Sequence, residues 1–261
     1  MKKFNTTGPC IPQKHYMADM AEPLAEICAM VRRGDYFTIN RARQYGKTTM
    51  LAALAKALEH DYAVISLDFQ KFSSFEKDEP VHLRTIFKGL LEFCRRASKP
   101  CVLIIDEADS AADNQVFLDF LAQLRSCYLD RELKNRTACQ SVILADIYDI
   151  RNIRRKIRPD EERRFNSPWN IAVDFDVKMS LSRRGIAGML SAYESDRHTG
   201  MDIGQMASLL YEYTSGYPFL VSRLCWLMDE KVSRMGPYIL KKSAWTQEGF
   251  LQAVRLLLAE K

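Results

Sequence analysis

NRARQYGKTTM, residues 40–50, lies between a strand-like run and a helix-like run and decides the fold of this chain. The run before it, YFTIN at residues 36–40, is aromatic and β-branched, and the apolar residues of 51–58 recur at helical spacing. A Gly-Lys-Thr at a strand-to-helix turn is typical of the phosphate-binding loop Gly-x-x-x-x-Gly-Lys-[Ser/Thr], because backbone N–H groups converge there on an anion. Arg41 departs from this pattern, since it stands where the first glycine is usual.

Three residues of the loop have the roles that phosphate binding requires. Lys47 is expected to reach the β and γ phosphates, Thr48 to offer its hydroxyl to Mg²⁺, and Gly46 to let the backbone approach closely. The alternative is a tight turn before a helix with a surface lysine. Arg41 need not abolish binding, because backbone N–H groups supply most of the phosphate contacts. The predicted nucleotide contacts of the loop are Arg43, Gln44, Tyr45, Gly46, Lys47, Thr48 and Thr49.

A second motif, CVLIIDEAD at residues 101–109, ends an apolar strand with two acidic residues. Asp106 stands where a Mg²⁺-anchoring carboxylate belongs, and Glu107 where a water-polarising carboxylate belongs. The same pair also fits a simple cap on the following helix. Because both motifs occur in one chain, together they predict a nucleotide site.

Strands alternate with helices through the first two thirds of the chain. Uninterrupted apolar runs such as CVLIID are typical of a parallel sheet covered by helices, which places the chain in the α/β class. The predicted strands are residues 36–40, 63–69, 101–106, 141–147 and 170–175. From about Ser180 onward only helical patterns follow, and they predict a smaller helical subdomain.

The composition excludes several classes of protein. With 47% hydrophobic and 27% charged residues, the 261-residue chain reads as globular. The start, MKKFNTTGPCIPQ, has two lysines but no apolar run behind them, and no run of about 18 apolar residues occurs elsewhere, so neither a secretory leader nor a membrane span is expected. Seven scattered cysteines without a Cys-x-x-Cys pair predict neither disulfides nor a zinc site and favour a cytoplasmic location. The net charge of +5 permits a nucleic-acid partner without requiring one.

Three spaced motifs resemble those of a known group. RARQYGKTT, residues 41–49, resembles the Gly-x-Arg-Arg-x-Gly-Lys-[Ser/Thr] loop of the archaeal-type ATPases and STAND signalling ATPases, P-loop proteins with a glutamate next to the Walker B aspartate. Arg43 falls on the first arginine of that loop. SGYPFLVSRLC, residues 215–225, resembles the Gly-x-Pro motif of their helical lid, here Gly216 and Pro218. The whole chain is similar to bacterial AAA-like ATP-binding proteins that read YFTINRARQYGKTT and NSPWNIAVDFD almost verbatim.

This resemblance implies a P-loop NTPase fold, a three-layer α/β sandwich with a five-stranded parallel sheet of order 2-3-4-1-5 and a C-terminal all-helical lid. Residues 141–147 would be the strand inserted between those that carry the two nucleotide motifs. The resemblance implies a core of residues 1–178, with an N-terminal arm and first helix over 1–34, and a lid of residues 179–261. Because the last segment stops while still amphipathic, a further C-terminal region is expected.

In such folds a polar residue at the end of the inserted strand senses the γ-phosphate, and Asp146 and Asp149 are the nearest candidates. Arg151 better suits a sensor or finger role, because a carboxylate repels a phosphate. Arg151 also begins a run, residues 151–164, of seven basic and three acidic side chains, which fits a solvated face or a nucleic-acid contact. Arg43 either reaches a phosphate or the lid, or is an exposed side chain paired with a lid carboxylate.

The stretch GPCIPQKHYMAD, residues 8–19, lies upstream of the first helix, where related ATPases hold the base. Pro12 and Tyr16 are predicted to pack against adenine, Tyr16 by stacking. The alternative is an arm packed on the sheet. Pro218 begins a lid helix that is predicted to end near Gly236 and to face the phosphates with its N-terminus. The alternative there is a helix start buried in the lid.

Two functions remain open. The first is a slow Mg²⁺-dependent ATPase that acts as a nucleotide-driven switch, with Glu107, Lys47 and Arg151 as catalytic residues and with Thr48 and Asp106 as metal ligands. The second is a scaffold for a protein effector or nucleic acid that binds ATP or ADP with little turnover. Both are compatible with a homo-oligomer, and neither calls for a membrane partner.

Overall fold

The described part of the chain forms two compact units. The computed structural model describes residues 1–68, 83–108, 115–134, 139–146, 169–235 and 244–260. The unit that we call the sheet unit comprises Leu24–Arg43 and Met50–Val177. The unit that we call the helical unit comprises Met1–Pro23, Gln44–Thr49 and Lys178–Lys261. The division into a core of residues 1–178 and a lid of residues 179–261 stays a prediction about domains.

Helices and strands alternate from Ala21 to Asp146. The elements in chain order are α1 (Ala21–Arg33), β1 (Tyr36–Asn40), α2 (Lys47–Leu58), β2 (Ala63–Asp68), α3 (Leu83–Arg96), β3 (Cys101–Asp106), α4 (Gln115–Lys134) and β4 (Ser141–Asp146). Gly34 separates α1 from β1 and has a φ of 83°, a conformation that residues with a side chain rarely adopt. Residues 101–105 of β3 are all buried, as expected for a strand covered on both faces.

The four strands pair in parallel in the order β1-β4-β3-β2. This confirms the predicted α/β P-loop fold, with β4 inserted between β1 and β3. The predicted fifth strand at residues 170–175 is reduced in the described part of the chain to one bridge, in which the Val173 N–H donates to the Tyr36 carbonyl at 2.8 Å. Residues 169–171 form a turn instead, which uses up the first part of that segment.

Four helices and one short turn of 3₁₀-helix follow residue 180 in the described residues. They are α5 (Arg183–Arg197), α6 (Ile203–Thr214), α7 (Pro218–Glu230), the 3₁₀ turn (Val232–Arg234) and α8 (Gln247–Ala259). The prediction that α7 runs to about Gly236 is wrong, because the helix ends at Glu230 and the Met235 N–H bonds the Val232 carbonyl in the tighter pattern. No helix in the described ranges has the length and apolar character needed to cross a membrane.

The N-terminal arm belongs to the core of the helical unit. Phe4 and Tyr16 are almost fully buried, and the Phe4 ring lies 5.0 Å from the rings of both Tyr16 and Tyr193. The Trp245 indole N–H donates to the Tyr193 hydroxyl, which in turn donates to Asp229 at 2.6 Å. The arm is therefore held by aromatic packing against helices that lie far away in the sequence.

The sheet unit is anchored at the edge of β1 by Trp169. The Trp169 side chain is fully buried, stacks on the Tyr36 ring at 5.9 Å and donates its indole N–H to the Thr38 hydroxyl at 2.9 Å. Thr38 is itself buried within β1. This bond therefore fixes residues 169–173 beside the strand that leads into the phosphate-binding loop.

We expect Trp169→Phe to lower the free energy of unfolding by about 1–3 kcal/mol, because it leaves the buried Thr38 hydroxyl without its donor. Urea denaturation followed by circular dichroism measures this change. Trp226→Phe is the matched control, since the partly buried Trp226 ring lies under the Arg223 guanidinium and should cost less than about 1 kcal/mol. Equal losses in the two variants would contradict an anchoring role for the indole bond.

Candidate phosphate-binding site

The loop between β1 and α2 has the backbone geometry of an anion cradle. Gln44 and Gly46 have φ angles of 59° and 79°, so two nearby residues adopt the left-handed conformation just before α2 begins at Lys47. Turns of this kind direct successive N–H groups toward one point. Arg41 is absent from the described residues with a positive φ. An arginine therefore occupies the first glycine position without strain, and Gln44 and Gly46 carry the left-handed turn.

The start of α2 concentrates positive charge. Only 7% of Lys47 is exposed, and this lysine is the first residue of the helix. The N-terminus of an α-helix adds the positive end of the helix dipole. The Thr48 side chain is exposed at the same helix end. A lysine side chain and a helix N-terminus both attract negative charge, so the residues present fit an anionic ligand.

Tyr45 connects the loop to the Gly-x-Pro motif inside the helical unit. Its hydroxyl lies 2.7 Å from the Ser180 hydroxyl, and its ring meets the Tyr217 ring edge-on at 4.9 Å. The Cys10 N–H of the N-terminal arm donates to the Thr49 hydroxyl at 3.0 Å. Sequence patterns predict neither Ser180, Tyr217 nor Cys10 as neighbours of the loop. The only signal in the sequence is an aromatic residue inside a phosphate-binding motif.

Gly216 and Pro218 form the tight elbow that the motif predicts. Gly216 has a φ of 73°, its carbonyl accepts from the Leu181 N–H at 2.8 Å, and a Cβ built on it would lie 2.1 Å from the Leu181 carbonyl oxygen. Pro218 stands in the first turn of α7, where its missing N–H costs nothing. Tyr217, between them, carries the contact to Tyr45. That the N-terminus of α7 faces bound phosphates stays a prediction.

The acidic pair lies at the carboxyl edge of the sheet. Asp106 ends β3 in register with Asp68 of β2, and Asn40 at the end of β1 pairs in register with Asp146 of β4. The Glu107 N–H donates to the Asp106 carboxylate at 3.0 Å. Glu107 has a φ of 54°, a conformation that is uncommon for a residue with a side chain and is enriched at functional sites as well as in turns and helix caps.

One polar atom at this edge is buried without a partner among the described residues. The Asn40 side-chain oxygen accepts no hydrogen bond there, although Asn40 directly precedes the loop. A buried oxygen without a donor costs about 1–3 kcal/mol. Together with the Glu107 conformation, it marks the carboxyl edge as a place where the fold retains unfavourable features.

The Tyr16 position does not match the predicted stacking on adenine. Tyr16 is 3% exposed, and its hydroxyl donates to the Asp196 carboxylate at 3.0 Å. Burial, followed by that bond, raises the pKa of the Tyr16 hydroxyl to about 12. Its ring is covered by the aromatic core of the helical unit, so Tyr16 is not part of the proposed nucleotide site.

The other predicted residues fall into two groups. Pro12 and Arg43 are exposed, and Lys47, Thr48 and Thr49 stand at the start of α2 as predicted. Asp149, Arg151 and the basic run of residues 151–164 lie outside the described residues, as does the side chain of Asp146. Within the described residues, no group of three or more histidine, cysteine or acidic side chains is placed to hold a metal ion.

Comparisons with known proteins agree with this geometry. A family model described as an AAA domain matches residues 35–133, which include β1, the loop, β3 and the acidic pair. No curated protein sequence matches the chain.

Solved structures share the fold at low sequence identity. The chain is similar to the Walker-type ATPase of Pyrococcus abyssi, with 13% identity, a TM-score of 0.58 and coverage of 98% of this chain and 77% of that chain. The chain is also similar to the Aeropyrum pernix ORC2 protein in its ADPNP–ADP complexes, with 14% identity, a TM-score of 0.56 and coverage of 94% of this chain and 70% of that chain. A third similar structure is Drosophila ORC bound to DNA, with 12% identity and a TM-score of 0.55. The match covers 98% of this chain and 63% of that chain, so the chain spans less than two thirds of that protein. At these identities, the likeness shows the fold.

Substitution of two glycines tests the elbow. We expect Gly216→Ala to lower the melting temperature far more than Gly200→Ala, although both residues have similar φ angles of 73° and 75°. Each substitution carries a left-handed penalty of about 1–2 kcal/mol. Only Gly216→Ala also places a Cβ against the Leu181 carbonyl, whereas nothing lies within 4 Å of a Cβ at Gly200. Calorimetry measures both variants, and equal shifts would contradict the close approach.

Proposed function

Because the chain is a P-loop protein of AAA-like fold with its AAA domain at residues 35–133, we propose that it binds ATP with Mg²⁺ and hydrolyses it slowly as a nucleotide-driven switch. One observation carries this proposal, the left-handed turn at Gln44 and Gly46 that leads into a buried Lys47 at the helix start. Backbone donors, a helix N-terminus and a lysine in this order suit a polyphosphate.

Each of the proposed site residues has a separate role in binding ATP and Mg²⁺. The N–H groups of residues 44–49 hold the phosphate oxygens, and Lys47 brings its charge to the β and γ phosphates. Thr48 and Asp106 offer the hydroxyl and carboxylate oxygens that Mg²⁺ prefers. The metal ion neutralises charge on the phosphate oxygens when bound. Arg43 contributes a further cation at an exposed position of the loop.

Glu107 is the proposed general base. It orients the attacking water and accepts its proton while the γ-phosphoryl group passes to that water, which gives ADP and inorganic phosphate. The left-handed backbone at Glu107 supports this role, because it turns the residue out of the strand direction directly after Asp106. Arg151, beyond the described residues, is proposed to stabilise charge in the transition state.

The switch is proposed to act through the helical unit. Tyr217 stands between Gly216 and Pro218 and contacts Tyr45 of the loop, so a change in the loop reaches the start of α7 directly. We further propose that Pro218 and Pro12 border the nucleotide. A helix N-terminus contributes about 0.3–1 kcal/mol toward an anion at an exposed site, which is enough to bias binding but not to dominate it.

The remaining parts of the proposal concern context. Seven free cysteines fit a reducing cytoplasm, where such thiols persist. A place among the STAND group of signalling ATPases, a homo-oligomeric assembly and a protein or nucleic-acid effector are proposed with it. The solved structure of Drosophila ORC bound to DNA supports nucleic acid as one class of effector.

We expect Lys47→Ala to weaken ATP binding at least about tenfold while the chain stays folded, because a charged hydrogen bond to phosphate contributes about 1.5–3 kcal/mol. Isothermal titration with ATP and Mg²⁺ measures the affinity. Lys56→Ala is the matched control, since Lys56 is an exposed lysine of the same helix α2. Unchanged affinity in a folded Lys47→Ala variant would show that the loop is not the binding site.

We expect Glu107→Gln to lower steady-state phosphate release by about 10²–10⁴-fold, with ATP binding retained, because the amide cannot accept the proton of water. Glu92→Gln serves as control, since Glu92 is an exposed residue of α3 paired with Arg96. A chain that binds ATP but releases phosphate at the same low rate with and without Glu107 would be the nucleotide-stabilised scaffold instead.

A further inference from the structure

Two side chains of the phosphate-binding loop hold the segment that leads from the sheet unit into the helical unit. We call this segment, residues 175–181, the connector. Along the chain, the loop passes from the sheet unit to the helical unit after Arg43, and the connector does so after Val177. In each unit, one side chain of the loop contacts the connector. Arg41 holds the connector within the sheet unit, and Tyr45 holds it within the helical unit.

The contacts of Arg41 with the connector are made by its guanidinium group, which a glycine at this position would lack. Its guanidinium donates to the carbonyl oxygens of Asn40 at 2.8 Å and Val177 at 2.9 Å. The same group lies 5.2 Å from the centre of the Phe175 ring, which stacks on Phe37 of β1. Glycine, the usual residue of the motif at this position, has no side chain to make these contacts, and a lysine lacks the planar fork that serves two carbonyls and a ring.

The Tyr45 contact holds the other end of the connector. The Tyr45 and Ser180 hydroxyls are 2.7 Å apart, and the next residue, Leu181, donates its N–H to the Gly216 carbonyl. Met179, between the two held ends, is 1% exposed. The connector is thus held at residues 175–177 by Arg41 and at residues 180–181 by Tyr45 and Gly216.

The residues that bind phosphate lie between and next to the two holding residues. Gln44 has a left-handed backbone and directly precedes Tyr45, and Gly46 directly follows it. Phosphate binding to the N–H groups of this turn would fix the backbone from which both Arg41 and Tyr45 project. A fixed backbone reduces the freedom of both side chains and of the segment that they hold.

We propose that Arg41 and Tyr45 are positioning residues that couple phosphate binding at the loop to the ordering of the connector. The proposal rests on the proposed ATP binding. According to this proposal, Arg41 gives the loop a function that the usual glycine could not provide, because its side chain transmits phosphate binding at the loop to the connector.

Hydrogen exchange of the full chain, with and without saturating ATP and Mg²⁺, tests this coupling. In the wild-type chain, ATP slows exchange of the connector amides. Ser180→Ala removes the partner of Tyr45, and Arg41→Gly restores the usual residue of the motif. Either change is expected to speed connector exchange about tenfold without nucleotide and to remove most of the slowing by ATP, given the usual strength of such hydrogen bonds.

Two matched controls separate coupling from general loosening. Ser191→Ala removes a hydroxyl that donates to the Ala187 carbonyl in its own helix, and Arg33→Met removes an arginine paired with Asp35. Both are expected to keep the wild-type response to ATP. Ser180→Ala is also expected to keep the wild-type ATP affinity in titration calorimetry. A variant whose loop structure is disrupted would bind ATP more weakly.

The outcomes distinguish this inference from the proposed function. Full ATP-dependent slowing in Ser180→Ala and Arg41→Gly would overturn the inference, and Ser180→Ala alone decides it if Arg41→Gly fails to fold. A wild-type chain that binds ATP in calorimetry without slowing of the connector would also overturn it and leave the proposed function standing. A wild-type chain that binds no ATP would overturn both.

Discussion

The left-handed turn at Gln44 and Gly46 is the constraint on which the rest of the structure depends. It lies between β1 and α2, in the short segment Gln44–Thr49 that belongs to the helical unit, whereas the chain before and after this segment belongs to the sheet unit. Arg41 points back along the sheet unit to Val177, and Tyr45 points to Ser180 in the helical unit. The phosphate-binding backbone and the path of the chain between units are therefore one feature.

Local sequence patterns predict the elements of the sheet well. YFTIN and CVLIID are β1 and β3 to the residue, and Gly34, with a φ of 83°, directly follows α1. These predictions succeed because strand length, apolar character and glycine conformation are properties of the segment itself. The loop and the Gly-x-Pro elbow are predictable for the same reason, since both require particular backbone angles.

Predictions that depend on distant partners are less successful. Tyr16 looks like a residue free to stack on a base, but Phe4 and Tyr193 cover it, and no local pattern contains that information. The segment at 170–175 has the composition of a strand, but the indole of Trp169 and the turn after it leave a single bridge. Arg41 reads as a defect in a motif because the carbonyl that it serves lies at Val177, far along the chain.

The aromatic core of the helical unit has a consequence for dissecting the protein. Phe4 and Tyr16 come from the first residues of the chain, whereas Tyr193 and Trp245 come from the last third. A fragment ending at Val177 would expose the two arm aromatics to water, and a fragment starting at Lys178 would lack them in its core. The second fragment therefore has an incomplete apolar core, so a cut at this point does not release an intact helical unit. The core of the helical unit is complete only when the N-terminal arm and the last third of the chain are present together.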